Sequence, residues 1–418
     1  VLAFLSSASV SAQAGEPATL KGVFDDCFSV GAAVNRRIAA GMAARDRFGR
    51  RSPELIERDR VLVVEQFNNI APENDLKWAL IHPNEGPDGY NWGPADQFVE
   101  FGKRHNMYLV GHTLVWHSQT PFWVFTGDGS SEDEVEADGR TGPEDDAEGP
   151  WRRRFRRPRF RGPRATREQL LARMSDHIHT VVGRYRGKIK AWDVVNEALS
   201  DQGDAVLRES LWLDIIGPDF IAKAFQYAHE ADPDAVLRYN DYGLEDPAKR
   251  RKLIKLVQSL QAEGAPVMAI GTQTHLNVSS ASFENMDRTL TELEILGLPI
   301  HVTELDINSA RRGQRDTRAD ITGNAAATEG GLVADADKRL AIAYEGVFRA
   351  FVKHREKLDV VTFWGANDAN SWRSSGRPLL FDGASQPKPA FDAVIRTATR
   401  ADSHSEADHR GSINEQHP

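Results

Sequence analysis

Eight short β-rich runs separated by amphipathic helical stretches constrain this chain more than any other feature. The runs are Ser29 to Ala32, Asn69 to Ile70, Tyr108 to Val110, Ile189 to Val194, Ala235 to Arg238, Met268 to Gly271, Ile300 to Thr303 and Val360 to Phe363. Between them, Leu170 to Gly183 repeats Leu170, Leu171, Met174, Ile178, Val181 and Val182 at helical spacing, and Leu253 to Ala262 does the same with Leu253, Ile254, Leu256, Val257 and Leu260. Alternation of this kind favours parallel strands joined by right-handed crossovers. Eight repeats favour closure into a single (β/α)8 TIM barrel over an open doubly wound sheet. No G-x-G-x-x-G or G-x-x-x-x-G-K-[ST] follows any run, so nucleotide-binding versions of the class lose support.

The barrel is expected over residues 20–400 of the 418. Val1 to Val10 is apolar and is followed by Ala12-Gln13-Ala14, a small-x-small pattern. Residues 1–19 therefore read as the remnant of a secretory signal with a linker, and the protein is expected to be secreted, either extracellular or periplasmic. No other apolar stretch approaches the ~20 residues that span a bilayer, so no membrane association is expected. Residues 401–418 are polar and without periodicity, a disordered tail.

One segment interrupts the alternation. Asp128 to Pro150 carries ten acidic residues against Arg140, and Trp151 to Arg164 then holds eight arginines and no acid. Residues 128–164 have too few aliphatic side chains to bury and read as a disordered charged insertion in a loop. The arginine run with Trp151, Phe155 and Phe160 interleaved is also a pattern for an anionic polymer, but the acidic block beside it competes for the same arginines. A second long connection, Ser309 to Ala336, gives no chemical signal. With a net charge of −9 and no basic domain, the chain is not expected to bind nucleic acid, and it is expected to act as a monomer. Its single cysteine, Cys27, leaves no intrachain disulfide and no cysteine-based zinc cluster.

Where the strands end, aliphatic sequence gives way to polar and aromatic residues. The ends read Glu73-Asn74-Asp75-Leu76-Lys77-Trp78, Gly111-His112-Thr113-Leu114-Val115-Trp116-His117-Ser118-Gln119, Trp192-Asp193-Val194-Val195-Asn196-Glu197, Tyr239-Asn240-Asp241-Tyr242, Gln273-Thr274-His275, Thr303-Glu304-Leu305-Asp306 and Trp364-Gly365-Ala366-Asn367-Asp368. A closed parallel barrel gathers all of these on one rim, where barrel enzymes place their active sites. Any one of them alone would be an ordinary cap or loop residue; seven together form a basin.

Without a cysteine nucleophile or a G-x-S-x-G elbow, carboxylates are left as acid, base and nucleophile. Paired carboxylates with tryptophan platforms suit glycosidic cleavage. Glu197 and Glu304 end the fourth and seventh strands. A histidine donating to Glu304, with His275 and Asp306 nearby in barrel order, favours its ionised, nucleophilic form. The negative charge on Glu304 is then expected to keep Glu197 protonated, as an acid needs. Two other readings share the inventory: a metallohydrolase using His112, His117, His275, Asp193 and Asp306 around zinc or manganese, and a noncatalytic sugar-binding protein.

At these same residues the sequence closely resembles glycoside hydrolase family ten, the retaining endo-1,4-β-xylanases. The Trp-Asp-Val-Val-Asn-Glu and Thr-Glu-Leu-Asp segments carry the likeness most strongly. The resemblance implies double displacement on xylan or xylo-oligosaccharides without cofactor or metal, with Glu197 as acid/base and Glu304 as nucleophile. It makes Glu73, Asn74 and Lys77 ligands of the non-reducing-side sugars, joined by His112, Trp116 and Gln119. Asn196 would bind the 2-hydroxyl at the cleavage point, Gln273 and His275 would align the glutamates, Trp364 and Trp372 would roof the sugar, and Tyr242 would face the leaving group, with Asp306 supporting. Gly243 departs from the family, which usually places Asn after Asn-Asp-Tyr.

Overall fold

The computed structural model describes residues 18–41, 51–127, 163–310 and 330–398. Most of the leader and of the charged insertion, and the whole tail, lie outside the described residues. All eight expected strands form, as β1 (Ser29–Val34), β2 (Asn69–Pro72), β3 (Tyr108–Trp116), β4 (Ala191–Asn196), β5 (Val236–Asp241), β6 (Ala269–Thr272), β8 (Ile300–Asn308) and β9 (Leu358–Phe363). A further short strand, β7 (His275–Asn277), prolongs the line of β6 after the Gln273-Thr274 break. Neighbours pair in parallel from β1 round to β6, β6 pairs with β8, β8 with β9, and β9 with β1, so the sheet closes.

Closure covers both faces of each strand, which is why β4 and β8 are buried at every residue. Outside lie helices whose ends are set locally. Helix Arg167–Arg184 opens on a reciprocal capping box between Thr166 and Gln169, and buries Leu170, Met174, Ile178, Val181 and Val182 of the stripe expected from sequence, with Leu171 half-buried at its edge. Helix Pro247–Ala262 starts with Asp246 accepting from two backbone N–H groups and Pro247 at its first position. Helix Gly330–Lys353 takes in the last residues of the Ser309 to Ala336 connection, so that connection is shorter than the sequence suggests. Among the described residues no helix is long and apolar enough to cross a membrane.

The barrel interior is not wholly apolar. Arg238 on β5, 1% exposed, holds Asp193 on β4 through Nε at 2.5 Å and Nη2 at 3.1 Å, and His112 on β3 adds a 2.9 Å contact from Nδ1 to the same carboxylate. Burial pushes the Asp193 carboxyl up, but Arg238 and His112 outweigh it and bring it to about 2. A buried ion pair is tolerated only when its hydrogen bonds are this complete. Its consequence for function is positional: His112 is anchored from below.

Candidate active site

The strands run further toward their C-terminal ends than the sequence pattern suggests, so residues expected just beyond them lie in the last paired positions. Trp116 stands opposite Asn196, Asn196 opposite Asn240, Asp241 opposite Thr272, and His275 opposite Asp306. These registers bring side chains from β3, β4, β5, β7 and β8 to one rim.

Glu304, 5% exposed, accepts from Asn240 Nδ2 at 3.0 Å on Oε1 and from His275 Nε2 at 3.1 Å on Oε2. His275 Nδ1 lies 3.1 Å from Asp306 Oδ2, an ion pair rather than an aligned hydrogen bond. Burial opposes a charge on this ring, yet Asp306 and Glu304 flanking it raise its pKa to about 9, so at neutral pH both ring nitrogens carry protons. Asp306 is completed by Trp372 Nε1 at 2.8 Å and Arg373 Nη1 at 2.9 Å; burial pushes its carboxyl up, but the charge of His275 first, then Arg373 and the Trp372 donor, bring it below the ordinary value. Asn240 also donates to Asn196 Oδ1 at 2.9 Å and accepts from Thr303 Oγ1 at 2.7 Å. That amide is admitted by Gly271, where a Cβ would meet Asn240 Oδ1 at 2.4 Å.

Glu197 sits in the left-handed backbone region, φ +57, which is disfavoured for a residue with a Cβ. Its N–H donates to Asn240 O at 2.9 Å. Trp116 Nε1 donates to its Oε2 at 2.9 Å and Gln273 Nε2 to its Oε1 at 3.0 Å; Gln273 also reaches Asn196 Oδ1 at 3.3 Å. The expectation that Glu197 stays protonated is corrected here. Burial does push it up, but His117, the Gln273 and Trp116 donors and Arg208 together leave it below the ordinary carboxylate value. The sequence places Trp116 and Gln273 near Glu197, but sequence reasoning weighs the like charge of Glu304 without their hydrogen bonds, and without His117, Arg208 and the buried ammonium of Lys77, which feels the charge of both glutamates. His117 stands at the exposed rim; protein packed around it, with Arg208 and Lys249 adding their charge against Glu197 and Asp201, holds its imidazole below the usual range.

Toward the β2 side, buried Lys77 donates from Nζ to Asn74 Oδ1 at 3.0 Å and lies 5.3 Å over the Trp116 ring. Glu73, its pKa raised by burial against the charges of Lys77 and Arg37, completes that group. Gln119, also at positive φ, ties its carbonyl to the Ala79 N–H at 2.8 Å. Trp364 is 9% exposed and meets His112 edge-on at 5.2 Å, while the less buried Trp372 meets His275 edge-on at the same distance.

On the β5 side, Tyr242 donates to Asp201 Oδ2 at 2.5 Å and accepts from Arg208 Nη2 at 2.7 Å, with Lys249 Nζ 3.3 Å over its ring. Gly243 has φ +66. Asn and Gly are the residues that enter this region most readily, so the exchange keeps the turn and removes only a side chain. Sequence reasoning did not single out Asn240, Asp201, Arg208, Lys249 or Arg373 as site residues. Asn240 stood in a strand-end motif; the others carry no motif.

Four of the ligands of the metal reading pair with one another, His112 with Asp193 and His275 with Asp306. His112 is committed to Asp193, and His275, flanked by Glu304 and Asp306, is protonated on both nitrogens. Among the described residues no three of His, Cys, Asp and Glu are placed to hold an ion.

A parallel barrel with two glutamates framed by amides, an imidazolium and indoles at its C-terminal rim defines a carboxylate glycoside hydrolase. The comparisons narrow that class. The family model for glycosyl hydrolase family 10 matches residues 29–397. A β-1,4-xylanase of Dictyoglomus thermophilum is 35% identical over 385 residues, 90% of each chain, and an endo-1,4-β-xylanase of Geobacillus stearothermophilus is 36% identical over 90% of this chain and 98% of its own. The solved structure of a GH10 endoxylanase retrieved from sugarcane soil metagenome superposes with a TM-score of 0.71 at 35% identity, covering 91% of this chain and 99% of that one. The chain belongs to glycosyl hydrolase family 10.

Proposed function

We propose that this protein is a retaining endo-1,4-β-xylanase with Glu304 as nucleophile and Glu197 as acid/base. The observation that carries the assignment is the unbroken frame Glu197, Gln273, Asn196, Asn240, Glu304, in which each neighbour is a hydrogen bond away and each carboxyl is aimed by an amide. Similarity to xylanases supports xylan as the substrate.

Glu304 attacks the anomeric carbon while Glu197 gives its proton to the departing glycosidic oxygen, and the carbon–oxygen bond breaks. The imidazolium of His275 leaves Oε1 of Glu304 bound only by a neutral amide, so attack falls to the oxygen carrying the weaker donor. The glycosyl ester is then hydrolysed by water that loses its proton to Glu197, returning both groups to their first state. In the free cleft Glu197 is held low; a sugar seated over it removes water and strengthens burial, the influence that already pushes it up, so that Glu197 takes from solvent on substrate binding the proton it then gives. The basic limb is accordingly expected at higher pH in kcat, which reports the bound enzyme, than in kcat/KM, which reports the free one.

Hydrolysis of xylan, cellulose and mannan, with product configuration followed by NMR, tests the reading. Glu304→Ala is expected to lose activity by a factor on the order of 10⁴ or more. Substantial residual activity, inverted products, or activity abolished by a chelator would sink it. We further propose export, on the strength of Ala12-Gln13-Ala14 and the apolar run before it, and a monomeric enzyme.

A further inference from the structure

Directly after Glu197 the chain doubles back on itself. Leu199 and Leu207 form an antiparallel bridge, Ser200 N–H donates to Val206 O at 2.9 Å, and Arg208 N–H donates to Ala198 O at 2.7 Å. This clasp places Arg208 beside the residue eleven positions earlier. Its Nε donates to the carbonyl of Glu197 at 3.1 Å, and its Nη2 donates both to Tyr242 Oη at 2.7 Å and to Asp201 Oδ2 at 2.8 Å. Asp201 is shared in turn with Tyr242 and with Lys249, whose ammonium is 2.8 Å away and also 2.9 Å from Asp241. The guanidinium thus grips the main chain of the acid/base through Nε and the leaving-side tyrosine through Nη2.

The grip falls where the backbone most needs it. Glu197 lies at φ +57, a conformation that relaxes unless its neighbours enforce it, and its two main-chain polar groups are held by Asn240 O and by Arg208. Trp116 and Gln273 fix the carboxyl oxygens, so the direction in which the remaining lone pairs or proton point depends on where the backbone stands.

We infer that Arg208 is a positioning residue for proton transfer: by holding the Glu197 carbonyl in its left-handed turn and joining it to Tyr242, it aims the Glu197 carboxyl at the oxygen of the departing sugar. The inference rests on Glu197 being the acid. A planar fork is needed, because the single ammonium of Lys has no fixed pair of donors with which to span the carbonyl and the phenol.

The experiment compares kcat/KM on xylo-oligosaccharide, whose sugar leaving group must be protonated, with kcat/KM on an activated dinitrophenyl xylobioside, whose phenolate leaves unprotonated. In Arg208→Lys and Arg208→Met the ratio of the first to the second is expected to fall by roughly 10–100-fold, part of the whole contribution of an acid. The titratable and charged groups bearing on Glu197 are His117 after β3, Lys77 after β2, Asp241 on β5 and Arg208 itself. Because the Arg208 charge lowers Glu197, its loss in Arg208→Met moves the basic limb of kcat/KM to higher pH, whereas Arg208→Lys leaves the limb in place. An unchanged ratio in either soluble variant, or equal loss on both substrates, overturns the proposal, and Arg208→Lys decides it if Arg208→Met does not fold. Glu197→Ala is the control. Equal loss on both substrates there would overturn the assignment of Glu197 itself, leaving the two failures distinguishable.

Discussion

His275 concentrates the electrostatics of the site in one residue. Its folded-state pKa of about 9 lies above the 6.5 of a free imidazole, so its pairing with Asp306 and Glu304 stabilises the fold fully below pH 6.5 and ceases to do so as pH climbs through 9. A shift of that size corresponds to about 3 kcal/mol, counted once for the pair with Asp306. The Tm gap between wild type and His275→Asn is therefore expected to be widest near pH 6 and to narrow toward pH 9.5. A gap independent of pH would show that the ring is neutral. Glu197 teaches the opposite lesson about the same chemistry. Its sequence neighbours indicate an acid but not a pKa, because Trp116, His117, Gln273 and Arg208 reach it only after the chain has folded.

At the scale of the element, a β-strand is visible in sequence as an aliphatic run, and the centres of all eight barrel strands are legible for that reason. Their ends are not. Trp116, Asn196 and Asp241 are polar or aromatic residues that read as loop, yet each is hydrogen-bonded into the ladder because closure supplies a neighbour on both sides. β7 is hidden for a related reason: three residues after a positive-φ Thr274 make no periodic signal, although their pairing with β8 is what sets His275 against Asp306. Packing between elements gives a sharp test. Gly271→Ala drives a methyl group into Asn240 on the neighbouring strand, and is expected to cost about 1–3 kcal/mol in denaturant unfolding and to lower kcat, since Asn240 holds Glu304. Unaltered kcat would mean that Asn240 is not a positioning group.

For the whole molecule, the question is what the barrel needs of its 418 residues. The segment 128–162 lies outside the described residues, but the chain on either side of it is joined: Gly127 N–H donates to Pro163 O at 2.7 Å, Thr126 bridges Arg164, and Ala165 N–H donates to Phe125 O at 3.0 Å. With both ends already paired, a short Gly-Ser turn in place of 128–162 is expected to leave Tm and activity on unsubstituted xylan as they are. A fall in Tm would show that the segment packs on the barrel.

The sequence by itself determined the class of fold and singled out two glutamates as the proposed pair, because strand and helix periodicities and strand-end motifs are local properties written in consecutive residues. It determined the likeness to family 10 in the same way. Only the tertiary structure decided which donors each carboxyl meets, that His275 is charged, and that Arg208 clasps the backbone of Glu197. Those depend on contacts between residues up to about eighty positions apart, whose energies of desolvation and Coulomb attraction are set by distance in space and have no trace in sequence spacing.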